Sequence, residues 1–212
     1  DAEEEDEERP KKKRECHYFF PRWMRDPDRK RYERADFIPD REKCPDNVFN
    51  LFTGFEAEKI DPQSFLKDMT PEEAEVEEKL VIDTLRLHLH YITSGYEDHF
   101  LKWQAYLVQH PGSKTEMNVL LRDQGGLFAQ GGGTGKNIYL EWFGRKILGD
   151  RYLYVVADNK ELYGTFNSQF EGKLLIIVEE AKSKDNHENY DILKARSTAK
   201  KQNVNKKGVP VY

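Results

Sequence analysis

Seven residues, Gly131-Gly132-Gly133-Thr134-Gly135-Lys136-Asn137, leave this chain few ways to fold around them. Before them stands a short apolar run, Leu127-Phe128-Ala129. After them Ile138 to Leu148 repeats its apolar residues at helical spacing, and Gly149 closes the segment. A glycine turn between a strand and a helix brings backbone N–H groups and the positive end of the helix dipole to one point, where they can surround a phosphate. Lys136 then supplies a point charge to the outer phosphates, while Gly133 and Gly135 let the backbone wrap closely. Against the GxxxxGK[ST] pattern, Gln130 stands where the first glycine would fall and Asn137 where the hydroxyl residue would. Gly131 allows the turn one residue later, and an asparagine oxygen can accept a bond from a metal-bound water.

The next strong signal is Leu174-Leu175-Ile176-Ile177-Val178, followed directly by Glu179-Glu180. Five consecutive apolar residues predict a strand covered on both faces, as in the centre of a parallel sheet. Two carboxylates at its end are costly to place together without a cation. One is expected to hold hydrated magnesium and the other, Glu180 by preference, to orient or deprotonate a water. With Lys136 upstream, the pair predicts an ATP-hydrolysing site whose cofactors are ATP and Mg2+. Cofactor-binding residues are then Gly131 through Asn137, metal-binding residues Asn137 and Glu179, and catalytic residues Lys136, Glu179 and Glu180.

The rest of the chain supplies the surroundings. Thr70-Pro71-Glu72-Glu73 has a capping threonine, a proline suited to the first helical position and acids facing the helix dipole. Leu80, Ile82, Leu85, Leu87, Leu89 and Ile92 continue a helix that is apolar on more than one face and reads as buried, until Ser94-Gly95 stops it. A second helix is expected from Glu97 to Gln109, with Phe100, Leu101, Trp103, Leu107 and Val108 inward, giving a helical hairpin. His88 and His90 cannot ligate one ion as an i, i+4 pair does, so these and His99 read as core or surface histidines. Val119-Leu120-Leu121 and Tyr152 to Val156 carry strand signals.

The first 45 residues form a charged arm expected to be irregular. Nearly every residue from Asp1 to Glu8 is acidic, Arg9 to Arg14 reverses the sign, and aromatics then alternate with Arg, Asp and Pro. The acidic block exceeds the formal net charge of −5, so net charge says little about partners. Cys16 and Cys44 lack the second pair a CxxC zinc site would need and read as free thiols. No apolar run approaches the roughly 20 residues that span a bilayer, and the acidic opening has no apolar signal region, which predicts an intracellular protein without a membrane partner.

Taken with Asn50-Leu51-Phe52-Thr53-Gly54-Phe55, His110-Pro111 at the end of the hairpin and Phe166-Asn167-Ser168-Gln169-Phe170, the GTGKN loop and the Val178-Glu179-Glu180-Ala181 strand end resemble the superfamily 3 helicase domain of poxvirus-like and giant-virus primase-helicases and of phage and plasmid replication proteins. The resemblance runs from about Asn47 to the C-terminus. It implies an α/β fold with a P-loop NTPase core of the AAA-like type over residues 113–212, preceded by a helical domain over 46–112 and the arm over 1–45. It also implies an ATP-dependent DNA helicase of viral or mobile-element replication, working as a homo-hexamer on single-stranded DNA, intracellular and at a viral replication site. The family's basic hairpin in the central channel is similar to the segment from Leu193 to Gly208, which makes Lys206 and Lys207 the DNA-contacting candidates. A sensor strand and an arginine finger are implied as well. Neither occurs before Tyr212, so the core is expected to be C-terminally incomplete and weakly active alone. Three other readings use the same residues: a nucleotide-switched replication initiator or loader, a small-molecule kinase, and a nonenzymatic DNA-binding remnant.

Overall fold

A computed structural model describes residues 19–122, 133–179, 187–199 and 204–208. The acidic and basic runs, Cys16, the 127–129 strand signal, Gly131, Gly132 and Glu180 lie outside the described residues.

From Phe19 onward the arm is more ordered than its mixed composition predicts. A short helix, α1, spans Phe19–Arg25, and β1 (Arg34–Asp36) pairs in parallel with β2 (Val48–Asn50), Ala35 opposite Phe49. Asn50 explains the local order. Its side-chain oxygen accepts from the backbone N–H groups of Ile38 and Phe52, and its Nδ2 donates to the Ile38 carbonyl at 2.8 Å. Phe37 then reaches Phe52 and Tyr152, with ring centroids 5.8 Å away in each case.

A short helix, α2 (Pro62–Leu66), precedes the hairpin of α3 (Pro71–Thr93) and α4 (Glu97–Gln109). The start of α3 is a full capping box: Thr70 Oγ1 accepts from the Glu73 N–H, and the Glu73 carboxylate accepts from the Thr70 N–H. Ser94, in the left-handed region at φ +54, ends it. The expected burial of α3 is not observed. Only Leu89 and Ile92 are buried, whereas Val76, Leu80, Leu87 and Tyr91 are each more than half exposed. Length and face are the reasons: at 1.5 Å per residue α3 runs about 34 Å and α4 about 20 Å, so Val76 and Leu80 lie beyond the reach of α4, while Leu87 and Tyr91 lie on the face of α3 turned away from the core. Along α4, Phe100, Gln104 and Leu107 are buried, with Leu101, Trp103 and Val108 packed at the edge of the core.

Residues 113–122 carry no strand, and Val119 and Leu120 face outward. Helix α5 (Lys136–Trp142) continues without a break into a π-helical stretch, Phe143–Gly149, and a 3-10 turn, Asp150–Tyr152, leads into β3 (Leu153–Val156). After α6 (Asn159–Tyr163), β4 (Leu175–Val178) lies parallel to β3 with Leu153 opposite Leu175 and Val156 opposite Val178. Its two faces differ: Leu175 and Ile177 are buried, while Ile176 is 39% exposed. Cover on both faces is therefore not what the described residues give β4: Leu175 and Ile177 enter the common core and Ile176 does not. Helix α7 (His187–Thr198) takes in the segment from Leu193 to Ser197 and is tied to 114–118, Lys114 donating to the Arg196 carbonyl and Asn118 to the Ser197 hydroxyl, each at 2.7 Å. Burial and the nearby Arg196 charge hold Lys114 below the ordinary lysine range.

One core joins these parts: Phe52 and Phe55, Leu89 and Ile92 of α3, Phe100 and Leu107 of α4, Tyr139 and Phe143, Leu148, Tyr152, and Leu153, Leu175 and Ile177 of the strands. Leu89→Ala, at a fully buried position, is expected to lower stability by about 2–5 kcal/mol in urea unfolding, whereas Leu87→Ala, two residues away on the exposed face, is expected to change it by less than about 0.5 kcal/mol. Equal effects would contradict the one-sided burial of α3.

Candidate nucleotide-binding site

The glycine-rich turn ends in two residues of positive φ, Gly133 at +107 and Gly135 at +81. Gly135 is the N-cap of α5. Its left-handed conformation would be strained with any side chain, and a Cβ there would lie 2.5 Å from Cε1 of His88. Its carbonyl accepts the first helical hydrogen bond, from the Tyr139 N–H at 3.0 Å. Lys136, the first helical residue, donates from Nζ to the Thr134 hydroxyl at 2.8 Å, so its ammonium group is folded back over the turn.

Asn137 links the turn to the end of β4. Its Nδ2 donates to Oε1 of Glu179 at 3.0 Å, across 42 positions of sequence. Glu179 stands just beyond β4, where its backbone N–H still donates to the Val156 carbonyl at 3.3 Å. Parallel pairing thus carries the carboxylate to the end of β4 that adjoins the start of α5.

The donor set can be compared with what magnesium and a polyphosphate require. Magnesium favours oxygen ligands, keeps much of its water, and is commonly held by one or two carboxylates plus phosphate oxygens. Glu179 offers a carboxylate with one oxygen engaged by Asn137, and Asn137 keeps its amide oxygen as an acceptor. Lys136 adds the positive charge that phosphate requires. Oxygen donors beside an ammonium group fit a hydrated magnesium–nucleotide, and they suit a bare transition metal poorly.

Behind the turn lies the helical hairpin. Tyr139, 5% exposed, donates its hydroxyl proton to Oε1 of Gln104 at 2.8 Å and packs near Phe100 and Trp142. Burial pushes this hydroxyl above the ordinary tyrosine range, against the opposing effect of the Gln104 bond, so it remains a neutral donor. Gln104 Nε2 is buried without a hydrogen-bond partner among the described residues. His88 reaches the Gly135 carbonyl with Nε2 at 3.4 Å and faces Tyr139 at a centroid distance of 6.2 Å. His90 bonds instead to Glu97, 3.0 Å away.

Of the residues expected at the site, Gly133, Thr134, Gly135, Lys136, Asn137 and Glu179 fall together. Gly131, Gly132 and Glu180 lie outside the described residues. Lys206 and Lys207 belong to a different neighbourhood: Lys206 pairs with Glu171 at 2.8 Å, and Asn205 exchanges hydrogen bonds with Asn167. Phe166 to Phe170 therefore meet the basic segment. His88, Gln104 and Tyr139 were not expected at the site. Leu85, His88, Leu89 and Ile92 share i, i+3, i+4, i+7 spacing, and that spacing alone puts His88 on the inward face of α3.

A family described as "Family of unknown function (DUF5906)" matches residues 127–212, a span that takes in the glycine-rich turn, β4 and the Glu179-Glu180 pair. No curated protein and no solved structure matches the chain.

The two glycines make a structural prediction. Gly135→Ala is expected to cost about 1–3 kcal/mol of stability from backbone strain, with the His88 contact adding to it. Gly133→Ala shares the strain of a positive φ, but a Cβ there meets nothing within 4 Å among the described residues, so it is expected to cost less in the same urea-unfolding measurement. The reverse order would contradict the packing described behind the turn.

Proposed function

We propose that this chain is the nucleotide-binding part of a superfamily 3-type ATPase that couples ATP hydrolysis to movement on single-stranded DNA during replication of viral or mobile-element DNA. The observation that carries the reading is the Asn137–Glu179 hydrogen bond. A glycine turn or a strand-end carboxylate is common by itself. A turn residue bonded directly to an acidic strand end is the pairing that a magnesium–nucleotide site needs.

In this reading the N–H groups that follow Gly133 and Gly135 bind phosphate oxygens, and Lys136 exchanges its Thr134 hydroxyl for them. Magnesium, when bound, offsets phosphate charge. Glu179 holds its hydrated shell, with the Asn137 amide oxygen accepting from one metal-bound water. Glu180, the next residue, orients the attacking water and takes its proton. Hydrolysis by such a site proceeds by positioning and charge stabilisation.

Lys206 and Lys207 meet the DNA backbone in this reading, where lysine contacts are independent of base sequence and weaken with salt. The working assembly is a homo-hexamer, and the setting is intracellular, at a viral replication site. No helix of the described residues is long and apolar enough to cross a membrane.

Magnesium-dependent ATP hydrolysis, stimulated by single-stranded DNA, is the expected behaviour of the full-length assembly. Lys136→Ala is expected to weaken ATP binding by about 10- to 100-fold, the loss of a charge-assisted contact worth about 1.5–3 kcal/mol. Glu180→Gln should retain binding and lose turnover. Nucleotide binding without DNA-stimulated turnover or unwinding would place the protein with switched initiators or loaders, and DNA binding indifferent to both substitutions would leave a nonenzymatic DNA-binding protein.

A further inference from the structure

We infer that His88, on the helical hairpin, is a positioning residue for the phosphate-binding turn, setting the direction of the Lys136 backbone N–H through the Gly135 carbonyl; this rests on the nucleotide-binding reading above. Three contacts place it there. Nε2 lies 3.4 Å from the Gly135 oxygen, the ring faces Tyr139, and the space a Gly135 side chain would take is filled by the imidazole.

The chemistry fixes the direction of the bond. A carbonyl has no proton to give, so the imidazole must be the donor and must carry its proton on Nε2. The Gly135 carbonyl and the Lys136 N–H belong to one trans peptide plane and point in opposite directions. Two donors fix the carbonyl: the Tyr139 N–H draws it along the axis of α5, and His88 Nε2 meets it from the hairpin. The Lys136 N–H thereby points the opposite way, off the start of α5 and into the glycine turn, where a phosphate oxygen would sit. Without His88 the Tyr139 bond alone restrains a peptide flanked by a glycine of φ +81, the residue type that rotates most freely. His88 also joins the turn to α3, beside the Tyr139 contacts that join α5 to α4.

Three variants in the full-length protein test this. His88→Phe keeps a ring against Tyr139 and removes the donor, His88→Gln restores an Nε2–H donor without the ring, and His88→Ala removes both. The Kd for magnesium–ATP is read by calorimetry, and kcat and KM by steady-state hydrolysis, with Lys136→Ala as the reference for lost phosphate contact. His88→Phe and His88→Ala are expected to raise Kd and KM about 5- to 10-fold, as loss of one hydrogen bond does, with a smaller effect on kcat, and His88→Gln to return within about twofold of the wild type. In 15N spectra, the His88 ring is expected in the Nε2–H form, with a shift on adding magnesium–ATP that is absent in Lys136→Ala. If the wild type binds ATP and His88→Phe binds it equally well, or His88→Gln is as impaired as His88→Ala, this inference is overturned and the nucleotide site stands. A wild type that binds no nucleotide overturns both.

Discussion

Burial of the Tyr139 side chain governs how the rest of the site is arranged. Its ring sits among Phe100, Trp142 and His88, and its hydroxyl proton goes to Gln104. Removing so large a side chain from water contributes about 1.5–3 kcal/mol, and the buried hydroxyl needs the Gln104 oxygen to avoid a desolvation cost of similar size. Helix geometry then does the rest. With Tyr139 turned inward, Asn137, two residues earlier and about 200° round the helix, points to the opposite side. That side is where Glu179 stands. The contact that docks α5 on the hairpin therefore also sets the Asn137–Glu179 bond.

Tyr152 does for the strands what Tyr139 does for the helices. It is 2% exposed, meets Phe52 and Phe37 with its ring, and accepts the Thr53 N–H at its hydroxyl. The segment from Phe37 to Phe55 is thereby held against the start of β3, and β3 in turn sets the register of β4. Glu179 is positioned by backbone pairing and Asn137 by side-chain packing. The two meet because one core contains both anchors.

The sequence was most readable where local chemistry decides structure. The Thr70 capping box, the Ser94-Gly95 stop, the helix from Glu97 to Gln109 and the helix after Gly135 follow from capping, dipole and apolar spacing. Readings that needed tertiary knowledge fared differently. The apolar residues of α3 point in several directions, and no local rule says that a shorter α4 leaves Val76 and Leu80 in water or that Leu87 faces away from the core. Val119-Leu120-Leu121 has strand composition, and composition does not supply a pairing edge. The i, i+2 geometry that makes His88 and His90 core or surface histidines rather than metal ligands does not separate inward from outward, which the spacing of His88 with Leu85, Leu89 and Ile92 does. At the site, Asn137 and Glu179 were each legible, but the bond between them depends on the β3–β4 register, which no motif encodes.

The central claim is that Gly133 to Asn137, with Glu179, forms a magnesium–nucleotide site, and amide hydrogen exchange with and without magnesium–ATP tests it most directly. Slowed exchange confined to peptides carrying the 133–139 turn and the end of β4, dependent on magnesium and lost in Lys136→Ala, is the predicted result. Exchange at those peptides unchanged by saturating magnesium–ATP would contradict the account.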